Sequence, residues 1–201
     1  SNANLKSKIR VLIDSASKND FITTKCCKRL GLRLRFTDRI HTTIRGIGDI
    51  SQRINGMTNL KVESRYNNKT SFSIQPLVVD RITTQLPASS VDMNALSYLN
   101  ELPLADDKLH IPGVIDAIIG VNIFVQILLP GKVKGTQSLP SAIESIGYVL
   151  TGNAPTLKQN NVTRNSYSQT KQHNSQNKFS LKLSLHAHFN IIFHANLSLF
   201  L

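Results

Sequence analysis

The stretch "VLIDSASKNDFIT", residues 11–23, places one carboxylate, Asp14, directly behind the β-branched apolar run Val11-Leu12-Ile13. Small residues follow at once: Ser15, Ala16 and Ser17. A carboxylate at the end of a hydrophobic strand is costly to bury without hydrogen-bond partners. Asp14 therefore reads either as a turn residue closing a strand or as part of an acid–base site. Upstream, Lys8-Ile9-Arg10 extends the alternation, so the whole segment is a predicted strand that delivers Asp14 at its end.

Downstream, "TTKCCKRLG" carries the signals of a short helix. A Thr can cap it, Lys28 and Arg29 sit in the last turn, and Gly31 can take the left-handed C′ position. Phe21, Ile22, Cys26 or Cys27, and Leu30 would face inward. Residues 40–63 read as two strands, Ile40 to Ile44 and Leu60 to Glu63, around the tip Gly46-Ile47-Gly48. Asn67-Asn68 predicts a hairpin between residues 60–66 and 70–79. Ser89 or Ser90 is placed to cap a short helix through Met93, Leu96 and Leu99. "LPLADDKLHIPG" reads as an extended connector. Val114 to Ile119 suits a buried strand, with Gly120 allowing a tight turn, and "SIGYVLTG", residues 145–152, a last strand.

Composition narrows the classes. The chain has 201 residues, enough for one domain with an appendage, and 40% hydrophobic residues, ordinary for a globular core. Residues 1–3 read as the remnant of an expression tag, 4–154 as the folded domain, 155–178 as a polar disordered linker, and 179–201 as an apolar tail of unknown structure. For that tail an added strand, an aggregation-prone end and a non-native reading frame all fit. Net charge is +12; residues 155–201 hold five Lys or Arg and no Asp or Glu, leaving +7 on residues 1–154. No Arg-rich stripe interleaves with aromatics, so a diffusely basic surface is the expectation and nucleic-acid contact has weak support. Two adjacent cysteines read as reduced thiols in an intracellular, cytoplasmic setting. The apolar segment 114–135 is too broken by Gly and Pro to span a membrane.

Other chemistry-bearing residues read as structural. Asp116 lacks a small hydroxyl residue after it and suits a structural turn or a surface role. Asp106-Asp107 has no third ligand nearby and suits a solvated loop. His186, His188 and His194 have no acidic or thiol companion for a metal, and Cys26-Cys27 with His41 lacks an orienting acid. Neither a metal nor a cofactor is called for.

The order of Asp14-Ser15-Ala16, the Gly46-Ile47-Gly48 tip and Ile118-Ile119-Gly120 resembles that of a retropepsin, the aspartic peptidase of retroelements. It is more similar still to the peptidase domain of BEL/Pao LTR retrotransposons. The blocks that carry the likeness are "LIDSASKNDFIT…CCKRLGL", "IRGIG", "LADDKLHIPGVIDAIIGVNIF", "ILLPGKVKG" and "IGYVLTG", over residues 9–152.

The resemblance implies a mainly β, retropepsin-like closed barrel with a flap hairpin and one or two short helices. It implies an endopeptidase that processes its parent polyprotein. Two carboxylates a few Å apart share one proton and supply base and acid together. Only one Asp-Ser-Ala triplet is present, so the second carboxylate would come from a homodimer partner. Ser15 would then brace the active-site loops across the dimer, and Ala16 stands where the family often has Gly. Ile44 to Asp49 would form the flap over an extended peptide, with main-chain groups of Gly46 and Gly48 pairing to it. Ile118, Ile119 and Gly120 would be core beside the site. Asn122 stands where the family often has an acidic residue. Such dimers commonly share terminal strands; here either "GYVLTG" carries the interface or dimerisation is weak. The alternative is a catalytically inactive, domesticated dimeric binding module on the same fold.

Overall fold

The computed structural model describes residues 7–36, 43–45, 51–64, 71–136, 139–145, 147–157 and 190–198. In chain order the strands are β1 (Ser7–Asp14), β2 (Phe21–Thr23), β3 (Thr43–Arg45), β4 (Ser51–Arg53), β5 (Leu60–Glu63), β6 (Ser71–Ile74), β7 (Leu77–Val79), β8 (Ala117–Ile119), β9 (Lys132–Lys134), β10 (Ser141–Glu144), β11 (Tyr148–Thr151) and β12 (Asn190–Ser198). Helix α1 spans Thr24–Leu30 and α2 spans Val121–Ile127, and a 3-10 segment covers Met93–Leu99.

Seven strands form one sheet in the order β6-β5-β12-β1-β8-β2-β7, with β1 at its centre. β8 runs parallel to β1, pairing Val11 with Ala117, Leu12 with Ile118 and Ile13 with Ile119. On the other side β12 runs antiparallel along the whole of β1, from Ser7 opposite Leu197 to Asp14 opposite Asn190. Residues 190–198 of the apolar tail thus form an added strand, and the rest of that tail lies outside the described residues. β12 also pairs with β5, which joins β6 antiparallel with Leu60 opposite Ile74, the hairpin partnership expected around Asn67-Asn68. That turn itself lies outside the described residues.

The chain is mainly β, but no closed barrel forms among the described residues. Both sheet edges, β6 and β7, belong to one continuous segment joined through Gln75 and Pro76. Among the described residues no ladder pairs β6 with β7, and Pro76 between them has no N–H to donate. Three further strands make a separate sheet, β11-β10-β9, and β3 pairs only with β4.

Both faces of β1 are covered. Ile9, Val11 and Ile13 are buried on one side, and Arg10 and Leu12 on the other. Ile13, Ile22, Ile119 and both cysteines share one core cluster. Each fully buried Ile contributes about 1.5–3 kcal/mol by leaving water. A second cluster joins Val91, Leu96 and Leu99 to Ala142 beneath the three-stranded sheet.

Local signals fare unevenly. Thr23 caps α1 by accepting from the Cys26 N–H, and Gly31 ends it at φ 64°, as the sequence predicts. The 3-10 segment is capped by Asp92, not by Ser89 or Ser90, because the Asp92 carboxylate reaches the Asn94 N–H. The strand expected from Val114 is shorter. Val114 is exposed, and β8 starts only at Ala117, where a partner on β1 begins. The partner of β3 is β4 rather than 60–63, which the β12 and β6 pairings occupy.

Candidate active site: Asp14 and the loop around it

Asp14 ends β1 as the strand emerges from its cover, and it is half-buried. Its side chain folds back on the loop that follows. Ala16 N–H donates to Asp14 Oδ1 at 2.9 Å, and Ser17 N–H donates to the Asp14 carbonyl at 3.1 Å. This is an Asx turn, the local geometry that Asp followed by small residues favours. Ser15 is half-buried and Ala16 exposed. Among the described residues Asp14 Oδ2 has no hydrogen-bond partner.

The loop is held from the neighbouring strand. β8 brings Ile119, fully buried, alongside Ile13, so Gly120 leaves the sheet beside Asp14. Gly120 N–H donates to Asp20 Oδ1 at 2.8 Å, and Val121 N–H donates to the Ser17 carbonyl at 2.9 Å. A Cβ on Gly120 would stand 2.7 Å from the Ser17 carbonyl oxygen and 3.0 Å from that of Asn19. Both are backbone atoms, so only glycine permits this approach. The other end of the loop is tied to β7, where Leu77 N–H donates to the Asp20 carbonyl at 2.9 Å. Burial pushes the Asp20 carboxyl up from its ordinary value, and the Gly120 hydrogen bond works against that.

The fold thus gathers Asp14, Ser15, Ala16, Ile119 and Gly120, while Ile118 sits half-buried in β8 between Leu12 and Phe21. The flap residues stand differently. Ile44 lies in the β3–β4 hairpin opposite Gln52, and Gly46, Ile47 and Gly48 fall in the connection, outside the described residues. Gln52 Nε2 donates to the Arg81 carbonyl at 2.7 Å, which ties the hairpin to the segment after β7.

Two buried charge clusters went unread in the sequence. Arg10 donates from Nε to Asp106 Oδ2 at 2.8 Å, and from its two Nη atoms to the carbonyls of Leu86, Ile111 and Lys108. Asp106 is therefore buried rather than solvated, because the 104–113 connector wraps around one guanidinium. A Cβ on Gly113 would collide with Arg10 Nη1. Asp116 is likewise neither a turn nor a surface residue: it is buried just before β8 because two donors converge on it. Its Oδ2 accepts from Arg10 N–H at 3.1 Å and from Arg29 Nη2 at 2.9 Å. The readable signal was Arg10 itself, a cation inside an apolar strand, which demands a partner if covered.

Cys26 and Cys27 are buried free thiols. Burial first, then the Asp116 charge, pushes Cys26 up to about 12; burial pushes Cys27 up to about 11. Neither forms the thiolate that nucleophilic chemistry requires near neutral pH. No helix among the described residues is long and apolar enough to cross a membrane. The chain matches no protein-family model, no curated protein and no solved structure.

Proposed function

We propose that this chain is an aspartic endopeptidase of the retropepsin type, hydrolysing peptide bonds in a polyprotein through a pair of Asp14 carboxylates in a homodimer. The observation that carries this reading is Asp14 itself. It stands at the open end of the central strand, in a loop pinned by Gly120, with Oδ2 unpartnered among the described residues.

The mechanism follows from the pair. Two carboxylates at hydrogen-bond distance share one proton, since ionising both costs more than ionising one. The ionised member takes a proton from water as that water attacks the scissile carbonyl carbon. The protonated member donates to the carbonyl oxygen, giving a tetrahedral diol. Collapse of the diol breaks the C–N bond, with a proton delivered to the leaving nitrogen. Asp14 Oδ1, engaged by Ala16 N–H, fixes the carboxylate's orientation, and Oδ2 faces the water. The hairpin carrying Ile44 would close over the substrate and exclude solvent.

The test is cleavage of a quenched-fluorescent peptide with apolar residues flanking the scissile bond, across about pH 4–7. Activity that rises with dimer concentration, is blocked by a pepstatin-type inhibitor and vanishes in Asp14→Asn supports the reading. A well-folded dimer that cuts nothing overturns it.

One observation favours a second reading, the inactive dimeric binding module. The Asp14 carboxylate is already satisfied at Oδ1 by its own loop, as a purely structural turn would be. In that case Asp14→Asn leaves binding of the partner unchanged.

A further inference from the structure

A cavity of about 800 Å³ lies toward the start of β1, and Asp14 is not among the residues that line it. Its walls come from β1, α1, the segment after β7 and the 108–116 connector. The cationic residues on it are Lys8, Arg10, Lys25, Arg29, Arg81 and Lys108; the acidic ones are Asp80 and Asp116.

Both carboxylates are hydrogen-bonded within the fold, but only Asp116 meets a cation; Asp80 keeps its charge and offsets one of the lining cations. Asp80 Oδ1 accepts from Thr24 Oγ1 at 2.9 Å and from Asn55 Nδ2 at 2.7 Å. Asp116 is taken by Arg29 and the Arg10 backbone, and Arg10 in turn is neutralised by Asp106. Lys8 makes a loose, exposed contact with Asp107 at 3.6 Å. Among the described residues the side chains of Lys25, Arg81 and Lys108 have no carboxylate partner, and all three are exposed. The cavity therefore carries a surplus of positive charge that the fold leaves uncompensated.

Apart from three threonines and Gln85, its remaining surface is largely aliphatic. Ile111 is 47% and Val114 56% exposed, side by side with the cations. Among the described residues no aromatic ring lines it, so they offer no platform for stacking a nucleobase. Surplus lysine and arginine beside exposed branched aliphatics complement a chain that alternates carboxylates with apolar side chains.

We infer that this cleft is a docking site for an acidic, aliphatic peptide segment. The segment's carboxylates meet Lys25, Arg81 and Lys108 while its apolar side chains cover Ile111 and Val114. The inference is independent of the catalytic role of Asp14. Attraction to rim charges of this kind sets on-rate and selectivity and weakens with salt.

The experiment is fluorescence anisotropy on the full chain at low salt with three labelled probes. They are a short peptide of Glu and Leu in equal number, the same peptide with Gln for Glu, and a short single-stranded oligothymidine. The Glu peptide should bind about tenfold or more tighter than the Gln peptide, and tighter than the oligonucleotide. Its affinity should fall about tenfold or more in Lys25→Gln/Arg81→Gln/Lys108→Gln and stay unchanged in Asp14→Asn. Because the three replaced residues are exposed, that variant should keep the parent's circular dichroism and Tm. A separate Val114→Asp variant, at an exposed position, should also weaken the Glu peptide. Equal binding of the Glu and Gln peptides, tighter binding of the oligonucleotide, or undiminished binding in the folded triple variant would each overturn the proposal.

Discussion

Arg10 Nε and Asp106 Oδ2 lie 2.8 Å apart with both side chains almost wholly shielded from solvent, Arg10 on the central strand and Asp106 on a connector 96 residues away. Three of the four remaining guanidinium hydrogens go to the carbonyls of Leu86, Ile111 and Lys108. Breaking one member of such a buried pair leaves an uncompensated charge, which costs about 3–5 kcal/mol. Asp106→Ala should therefore lower the urea midpoint far more than any exposed substitution. Arg10→Met/Asp106→Leu, which removes both charges, should recover a large part of that loss. A double variant as unstable as the single one would show that the carbonyl bonds, not the ion pair, hold the connector.

Gly120 is the point where the β8 edge touches the Asp14 loop. A methyl there meets two backbone oxygens that cannot rotate away. Gly120→Ala should cost about 1–3 kcal/mol through overpacking. In the peptidase reading it should also depress kcat more than its stability loss explains. Chemical denaturation beside a peptide-cleavage assay separates the two effects. A variant of parental stability and activity would mean that the loop relaxes freely.

Asp14 has a structural share separable from any catalytic one. Asp14→Asn keeps the Oδ1 that accepts from Ala16 N–H, whereas Asp14→Ala removes it. Loss of one net hydrogen bond at a partly exposed turn costs about 0.5–1.5 kcal/mol. Thermal denaturation should place Asp14→Asn near the parent and Asp14→Ala below it; in the peptidase reading a cleavage assay should find both inactive.

Asp20 makes stability depend on pH in a stated direction. Its folded pKa lies above the ordinary 3.8 because burial disfavours the charged form. The native protein thus holds this proton at pH values where the unfolded chain has released it. Between 3.8 and the raised value, stability falls as pH rises, and the penalty is complete above it. Asp20→Asn removes the titration and retains an oxygen for Gly120 N–H. The stability gap between variant and parent should therefore widen in the variant's favour from mild acid to neutral pH. A gap that is flat with pH would refute the burial effect.

The two thiols act at the other end of the scale. With Cys26 raised to about 12 and Cys27 to about 11 from 9.0, the native chain keeps protons that the unfolded chain loses above pH 9. Their contribution is complete below pH 9 and is lost as pH climbs toward those values. A thiol reagent at pH 8 should label neither cysteine in the folded protein and both after denaturation. Rapid labelling of the native chain would contradict their burial.

Residues 7–31 were legible because each signal there is local. Alternation makes β1, Thr23 and Gly31 bound α1, and Asp followed by small residues makes the Asx turn. Gly120 differs: the sequence suggests a tight turn, but the residue is extended at φ -84°, and it is the Ser17 and Asn19 carbonyls that leave no room for a Cβ. What stayed hidden depends on distant partners. Nothing within "LADDKLHIPG" marks Asp106 as buried, since its burial is set by Arg10.

By itself the sequence determined the strand that carries Asp14, the helix behind it and the β5–β6 partnership. These rest on backbone periodicity, capping and turn residues, all of which act within a few residues. Only the tertiary structure decided that residues 190–198 lie along β1, that β6 and β7 end at opposite edges of the sheet, that the Ser17 and Asn19 carbonyls close on Gly120, and that the connector's Asp106 neutralises Arg10. Those outcomes depend on which backbone edge and which buried charge each segment meets in space. A hydrogen-bonding edge and a guanidinium accept partners from anywhere along the chain, so the partner's place in the sequence carries no trace of the pairing.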